Sequence, residues 1–190
     1  MIENIKEQIK LAGGEGIIRR YFVMNSFDGV LTVLGILLGS FISGTIISGT
    51  IIKITLATGL AMFVSGSFGT FATERAERRK TIMDLEHELL TKLDNSVLEK
   101  ANKTTTFILS IVDGVSPLLA SIIVISPFFF SKFIGEQNAF YVSTLLAFVV
   151  LFILGIFLGG VSGEKKIISG LKMLTVGFIA VLIISLLGLI

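Results

Sequence analysis

Long runs without a charged residue constrain this chain more than any other feature of its sequence. Four runs contain no Asp, Glu, Lys or Arg, at 29–52, 54–73, 137–163 and 173–190, and a fifth, 104–131, contains only Asp113. A helix needs about 20 apolar residues to cross the hydrocarbon core, and it satisfies its own backbone hydrogen bonds there. The sequence therefore predicts an all-α membrane protein with five transmembrane helices. Their expected positions are roughly 20–44, 52–74, 105–130, 139–162 and 168–189.

The composition agrees with this class and excludes several others. Hydrophobic residues make up 53% of the 190 residues, and the mean hydropathy is +0.91. The net charge is only +2, with no basic stripe interleaved with aromatics, so we expect no nucleic-acid partner. Cysteine is absent and His87 is the single histidine, which argues against thiol chemistry, disulfides and haem. Without a nucleophile–base pair we expect no enzyme, and the first ten residues contain no apolar core of a signal peptide.

The Lys and Arg residues lie on one side of the predicted spans. Four precede the first span, seven lie between the second and third, and two lie between the fourth and fifth. The opposite loops contain only Lys53 and Lys132. The positive-inside rule then predicts a cytoplasmic N-terminus and an external C-terminus. We expect a multi-pass protein of a prokaryotic plasma membrane.

The same features divide the chain into four segments. Residues 1–14 contain Ile2, Ile5 and Ile9 at helical spacing among charged residues, which predicts an amphipathic helix in the membrane interface; a solvated tail is the alternative. Residues 15–76 contain transmembrane helices 1 and 2, 77–103 form a cytoplasmic acidic helical segment, and 104–190 contain helices 3 to 5.

The tripeptide Asp-Gly-Val occurs in both the first and the third predicted span. The copies begin at Asp28 and Asp113, an offset of 85 residues. Because both spans run outward from the same side, the pattern is compatible with a parallel repeat in which spans 1–2 match spans 3–4.

These two aspartates lie at membrane depth. An acidic residue at a helix centre costs about 2.5–3.5 kcal/mol, so it should face protein or water. A carboxylate there can bind a cation or carry a proton, because desolvation and a bound cation shift its pKa in opposite directions. Asn25 and Thr32 share the helical face of Asp28 and could add oxygen ligands. The alternative is a structural role, in which each Asp caps a broken helix or bonds to a neighbouring span, and Pro117 favours this role for Asp113.

Small residues at four-residue spacing occur in two spans. Gly35 and Gly39 form a GxxxG motif in the first, and Gly155, Gly159 and Gly163 extend one in the fourth. Such spacing lets helices approach closely, either within one chain or across a dimer. The sequence leaves both readings open.

Residues 74–103 contain neither glycine nor proline, and the pattern predicts one continuous helix. At 100° per residue, one face would carry Glu77, Asp84, Glu88 and Glu99, with Glu74 beside it. Carboxylates in such a cluster suit divalent cations, and His87 could add a nitrogen ligand. A solvated helix with pairs such as Glu88–Lys92 is the alternative.

Taken in order, these segments resemble the vacuolar iron transporter family of divalent-metal/proton exchangers. The resemblance rests on FDGVLTVLGILLGS in the first span, GLAMFVSGSFGTFATERAER closing the second, the acidic helix, and a third span ending in PFFF. It covers nearly the whole chain. It implies a homodimer with five spans that moves Fe2+ or Mn2+ out of the cytoplasm against protons, with no tightly bound cofactor.

The resemblance also implies roles for single residues. Asp28 would face its dimer mate as the pore carboxylate. The residues themselves add Asn25, Thr32, Met62 and Asp113 as further candidate transport or proton-coupling positions. Metal ligands would come from Asp28 and from the acidic helix: Glu74, Glu77, Asp84, His87 and Glu88. The family's second span typically reads Ser-Met-x-x-Gly-Glu-Tyr, whereas here Gly66 and Thr70 stand at the Met and Glu positions. Met62, one turn earlier, could offer its sulfur instead.

Overall fold

A computed structural model describes residues 2–93 and 96–189 of the chain. The fold is 91% helical, and the described residues contain no strand. Residues 94 and 95, which fall within the predicted acidic helix, lie outside the described residues, as do residues 1 and 190. The described part forms these α-helices: α1 Ile2–Leu11, α2 Gly14–Ile42, α3 Ser48–Leu89, α4 Val97–Ile125, α5 Ser131–Ile134, α6 Glu136–Ser162 and α7 Lys166–Ser185. Short 3-10 helices at Ser126–Phe130 and Leu186–Leu189 follow α4 and α7.

Five of these segments are long and apolar enough to cross a membrane. They are Gly14–Ile42, Ser48–Leu89, Val97–Ile134, Glu136–Ser162 and Lys166–Gly188. The predicted fold class, an all-α membrane protein with five spans, is therefore confirmed. The orientation of the termini and the repeat of spans 1–2 and 3–4 stay predictions. Residues 2–11 do form the helix expected before the first span.

The prediction of one helix over 74–103 is wrong. Helix α3 ends at Leu89, Leu90 takes a positive φ of 50°, and α4 begins at Val97. The ends are capped locally, because the Ser96 hydroxyl accepts the Glu99 N–H at 3.1 Å. Sequences of the form Ser-x-x-Glu are a known start signal for helices, and Ser96-Val97-Leu98-Glu99 is one. Glu99 consequently belongs to α4 and not to the acidic face of α3.

Helix α4 runs through Pro117 without interruption. The Ser121 hydroxyl, one turn after Pro117, donates a hydrogen bond to the Pro117 carbonyl at 2.7 Å. The regular helix ends only at Ile125, before the 3-10 turn that contains Pro127. A helix break at Asp113 is therefore excluded.

The contacts group the chain into two compact units. The first comprises Met1–Phe22 with Phe63–Val115, and the second comprises Val23–Met62 with Ser116–Ile190. The second unit holds the apolar core, in which Val30, Leu34 and Leu37 of α2 are fully buried together with Leu151 of α6. The first unit contains α1, the beginning of α2, the later part of α3 and the first half of α4.

Candidate transport site

Asp28 lies on the exposed face of an unbroken helix. Helix α2 turns Val30, Val33 and Leu37 into the core of the second unit, while the Asp28 side chain remains exposed on the protomer. Asn25 and Thr32, three residues before and four after, are half-buried on the same side of the helix. The three oxygen-bearing side chains that the sequence grouped together thus share one face of α2.

The two glycine motifs differ in their surroundings. A Cβ added at Gly39 would meet no atom within 4 Å, and one at Gly35 would meet only the Ile184 Cδ1 at 4.0 Å. In contrast, a Cβ at Gly155 would lie 2.6 Å from the Ser169 carbonyl oxygen, in helix α7. The motif of α6 therefore packs against α7 within the protomer. The motif of α2 is open and lies on the same helix as exposed Asp28.

Asp113 has the opposite environment to Asp28. It is only 8% exposed, and within the first unit its carboxylate lies beside Gly66 of α3. A Cβ at Gly66 would come within 2.8 Å of the Asp113 Oδ2 and 3.3 Å of the Gly114 Cα. The glycine at position 66 therefore leaves the space that the Asp113 carboxylate occupies. The two copies of Asp-Gly-Val present one exposed and one buried carboxylate, and they belong to different units.

The remaining intramembrane candidates lie on α3. Met62 is half-buried, and Thr70 is buried one turn after Gly66. Thr70 brings a hydroxyl to a place where the family resemblance predicts a carboxylate, so the charge available at this level of α3 is reduced.

Glu74 is held by a polar network that the sequence analysis missed. The Tyr21 hydroxyl donates to the Glu74 Oε1 at 3.0 Å, and the Arg78 Nε donates to the Oε2 at 3.2 Å. The Arg78 Nη1 also donates to the Asn102 Oδ1 at 2.9 Å and to the Ala12 carbonyl at 3.2 Å. Tyr21 and Asn102 carried no signal because their partners are 53 and 24 residues away in the chain. A metal ion at Glu74 would have to displace these bonds.

The other acidic candidates are solvent-exposed on the continuation of α3 beyond the charge-free run. Glu77, Asp84, His87 and Glu88 all have exposed side chains. Among residues 2–93 and 96–189, no three His, Cys, Asp or Glu side chains come close enough to hold a metal ion. Their role as metal ligands stays a prediction.

Comparison with known proteins shows to which family the chain belongs. A family model described as the VIT family matches residues 81–189. An uncharacterised protein of Methanocaldococcus jannaschii is 34% identical over 184 residues, which cover 95% of this chain and 93% of that protein. The chain belongs to the VIT family. Membership in the VIT family and the five spans together make it a multi-pass integral membrane protein of a transporter family. No solved structure matches it.

Proposed function

We propose that this VIT family member is a homodimeric carrier, without enzymatic activity, that exports Fe2+ or Mn2+ from the cytoplasm in exchange for protons. The observation that carries the proposal is the exposed side chain of Asp28, the one charged residue between Arg20 and Lys53. A carboxylate that faces lipid at this depth costs about 2.5–3.5 kcal/mol. A second protomer on the same face, or a water-filled path between protomers, removes that cost.

The open glycines support a dimer through α2. Gly35 and Gly39 have almost no neighbours within the protomer, and small residues at this spacing permit close approach of two helices. A two-fold axis along this face would bring Asp28, Asn25 and Thr32 of both protomers toward one path. Two such sets supply six oxygen-bearing side chains, a number that suits the octahedral oxygen coordination of Mn2+.

The chemistry of exchange follows from the carboxylates. A divalent cation favours the ionised form of Asp28, whereas an apolar environment without the cation favours the protonated form. Release of the ion is thus linked to uptake of a proton at the same oxygen atoms. Buried Asp113 offers a second place for a proton.

A metal-sensing or structural protein of the same fold is the second candidate. It is favoured by the bonds that occupy both oxygens of Glu74 and by Gly66 and Thr70 at positions where the resemblance predicts Met and Glu. In this reading the carboxylates hold helices together and no ion crosses.

Uptake into proteoliposomes separates the two functions. Wild type should move Fe2+ or Mn2+ under an imposed pH gradient, and Asp28→Asn should lower the rate at least tenfold. The matched control is Glu15→Gln, an exposed acid in the first turn of α2, which should leave the rate unchanged. Equal transport by wild type and Asp28→Asn would refute the carrier mechanism, and no transport by wild type would favour the sensor.

The dimer has its own test, since the chain contains no cysteine. A single Gly39→Cys substitution should form a disulfide-linked dimer in membranes on mild oxidation. Leu145→Cys, exposed on α6, should remain monomeric. The reverse pattern would place the dimer interface elsewhere.

A further inference from the structure

A cleft of about 690 Å³ lies within the first unit, between the late part of α3 and the beginning of α4. Its charged lining consists of four cations, Arg75, Arg78, Arg79 and Lys103, and two carboxylates, Glu86 and Glu99. The cleft therefore carries an excess of two positive charges. Its lining differs in sign from the acidic side chains that face solvent on α3.

Both carboxylates of the cleft already have partners. The Glu99 Oε1 lies 2.7 Å from the Lys103 Nζ, and the Glu86 Oε1 accepts the Leu93 N–H at 2.7 Å. Arg78 is engaged with Glu74. These pairs account for every charged group of the lining except two arginines.

Arg75 and Arg79 are those two. They lie one turn apart on the same side of α3, their side chains are exposed, and neither forms an ion pair with any of the described residues. The Arg75 guanidinium lies 6.0 Å from the centre of the Phe71 ring, at the edge of cation–π range. Two neighbouring guanidinium groups in a concave site are well suited to a phosphate, which they bind through paired N–H donors.

The position along α3 indicates where that phosphate would come from. Phe71 belongs to the charge-free run 54–73, and Arg75 lies two residues after the end of that run. The cleft thus spans the level at which the hydrocarbon ends and the lipid headgroups begin. Phe71 and Met83 supply apolar lining, and Phe68, one turn before Phe71, is 73% exposed. The acyl chains of a lipid can follow this surface while the headgroup of the same lipid occupies the cleft.

We propose that this cleft binds the phosphate headgroup of an anionic membrane lipid, in the leaflet beside the end of the charge-free run 54–73 of α3. Arg75 and Arg79 hold the phosphate, and Phe71, one turn before Arg75, contacts the glycerol end of the acyl chains. Basic pockets next to spanning helices bind anionic headgroups in this manner. The metal ion is excluded from the cleft by the same positive charge. On α3 the metal-ligand candidates Glu77, Asp84 and Glu88 lie at about 180° from the two arginines, so the two ligands use opposite faces of one helix.

Native mass spectrometry of the purified full chain tests the proposal. Phosphatidylglycerol and phosphatidylcholine are titrated separately onto wild type and Arg75→Gln/Arg79→Gln. We expect wild type to prefer phosphatidylglycerol, and the double variant to bind it roughly 30-fold more weakly, which corresponds to about 2 kcal/mol at 1.4 kcal/mol per tenfold. Arg75→Lys/Arg79→Lys keeps the charge and should retain most of the affinity.

The matched control removes two exposed lysines at the start of α7. Lys165→Gln/Lys166→Gln loses the same charge outside the cleft and should bind phosphatidylglycerol like wild type. If the lysine variant binds phosphatidylglycerol as weakly as the arginine variant, binding depends only on the net charge of the protein, and the proposed site is wrong. Circular dichroism and size-exclusion profiles establish that each variant is folded.

A second arm distinguishes a lipid from a soluble phosphate. Glycerol 3-phosphate at millimolar concentration should not displace phosphatidylglycerol, because it lacks the acyl chains that contact Phe71. Displacement by glycerol 3-phosphate at its own comparable affinity would overturn the lipid assignment. Equal affinity of wild type for phosphatidylglycerol and phosphatidylcholine would overturn the proposal as a whole.

Discussion

A close approach of two helices in the second unit predicts a large effect from a single methyl group. Gly29 of α2 lies against Pro117 of α4, and a Cβ at Gly29 would overlap the Pro117 carbonyl oxygen and lie 2.8 Å from its Cα. Both atoms belong to the backbone, so no side chain can rotate away. Gly29→Ala therefore has to separate two helices whose neighbouring residues, Val30 and Val124, are fully buried.

The expected change in the free energy of unfolding for Gly29→Ala follows from two opposing effects. Overpacking a close-packed interior costs about 1–3 kcal/mol, and backbone atoms favour the upper end of that range. Alanine gains about 1 kcal/mol over glycine in a helix. The expected net result for Gly29→Ala is a free energy of unfolding lower by about 2 kcal/mol. Gly69→Ala, where a Cβ meets no atom within 4 Å, should instead gain up to about 1 kcal/mol.

Reversible unfolding with SDS in mixed micelles, followed by circular dichroism, measures both changes. The two variants should differ by about 3 kcal/mol, roughly a hundredfold in the unfolding constant. If Gly29→Ala is as stable as Gly69→Ala, then α2 and α4 do not pack through Gly29 and Pro117, and the reasoning fails.

Two further predictions concern other groups. Gly66→Ala should push the buried Asp113 carboxylate out of its place and reduce metal/proton exchange severalfold in proteoliposomes, whereas Gly69→Ala should retain it; equal rates would mean that Asp113 plays no part in exchange. The hydrogen bond from Lys172, the main cause, and then that from the Ser169 hydroxyl lower the pKa of Glu164 below 4.5. This interaction is fully present above the unfolded-state pKa and is lost as the pH falls through the folded-state pKa. Lys172→Met should raise the Glu164 pKa toward 4.5 in an NMR titration of the labelled carboxyl carbons, and an unchanged value would contradict the assigned cause.

The spans were predictable because a helix that crosses the membrane requires a continuous apolar stretch, which can be found directly in the sequence. A charge-free run of sufficient length has few alternatives to a transmembrane helix, and each of the five predicted spans corresponds to a long apolar helix. The continuity of α2 at Asp28 followed from the same argument. The end of α3 did not, although Ser96 and Glu99 form a capping pattern. Helix-forming composition over 74–103 outweighed that local signal in the prediction.

The site depended on which helix packs against which, and the sequence does not contain that information in a readable form. Gly35 and Gly155 belong to the same motif type, yet one is open and the other touches α7. Asp28 and Asp113 share a tripeptide, yet one is exposed and the other is buried beside Gly66. These contrasts arise from tertiary contacts between residues tens of positions apart, so periodicity alone could not separate them.

Helix α3 is so long that a small tilt within the membrane displaces its far end by several ångströms. It is one helix of 42 residues, about 63 Å at 1.5 Å per residue, and residues 70–89 contain no glycine or proline at which it could bend. The stretch from Gly66 to Leu89 is roughly 35 Å long, so a tilt of about 10° at Gly66 moves the end of the helix by roughly 6 Å. Any repacking around Asp113 that tilts this rod is therefore amplified outside the membrane. A spin label at exposed Leu89 would report such a tilt as a displacement of the helix end.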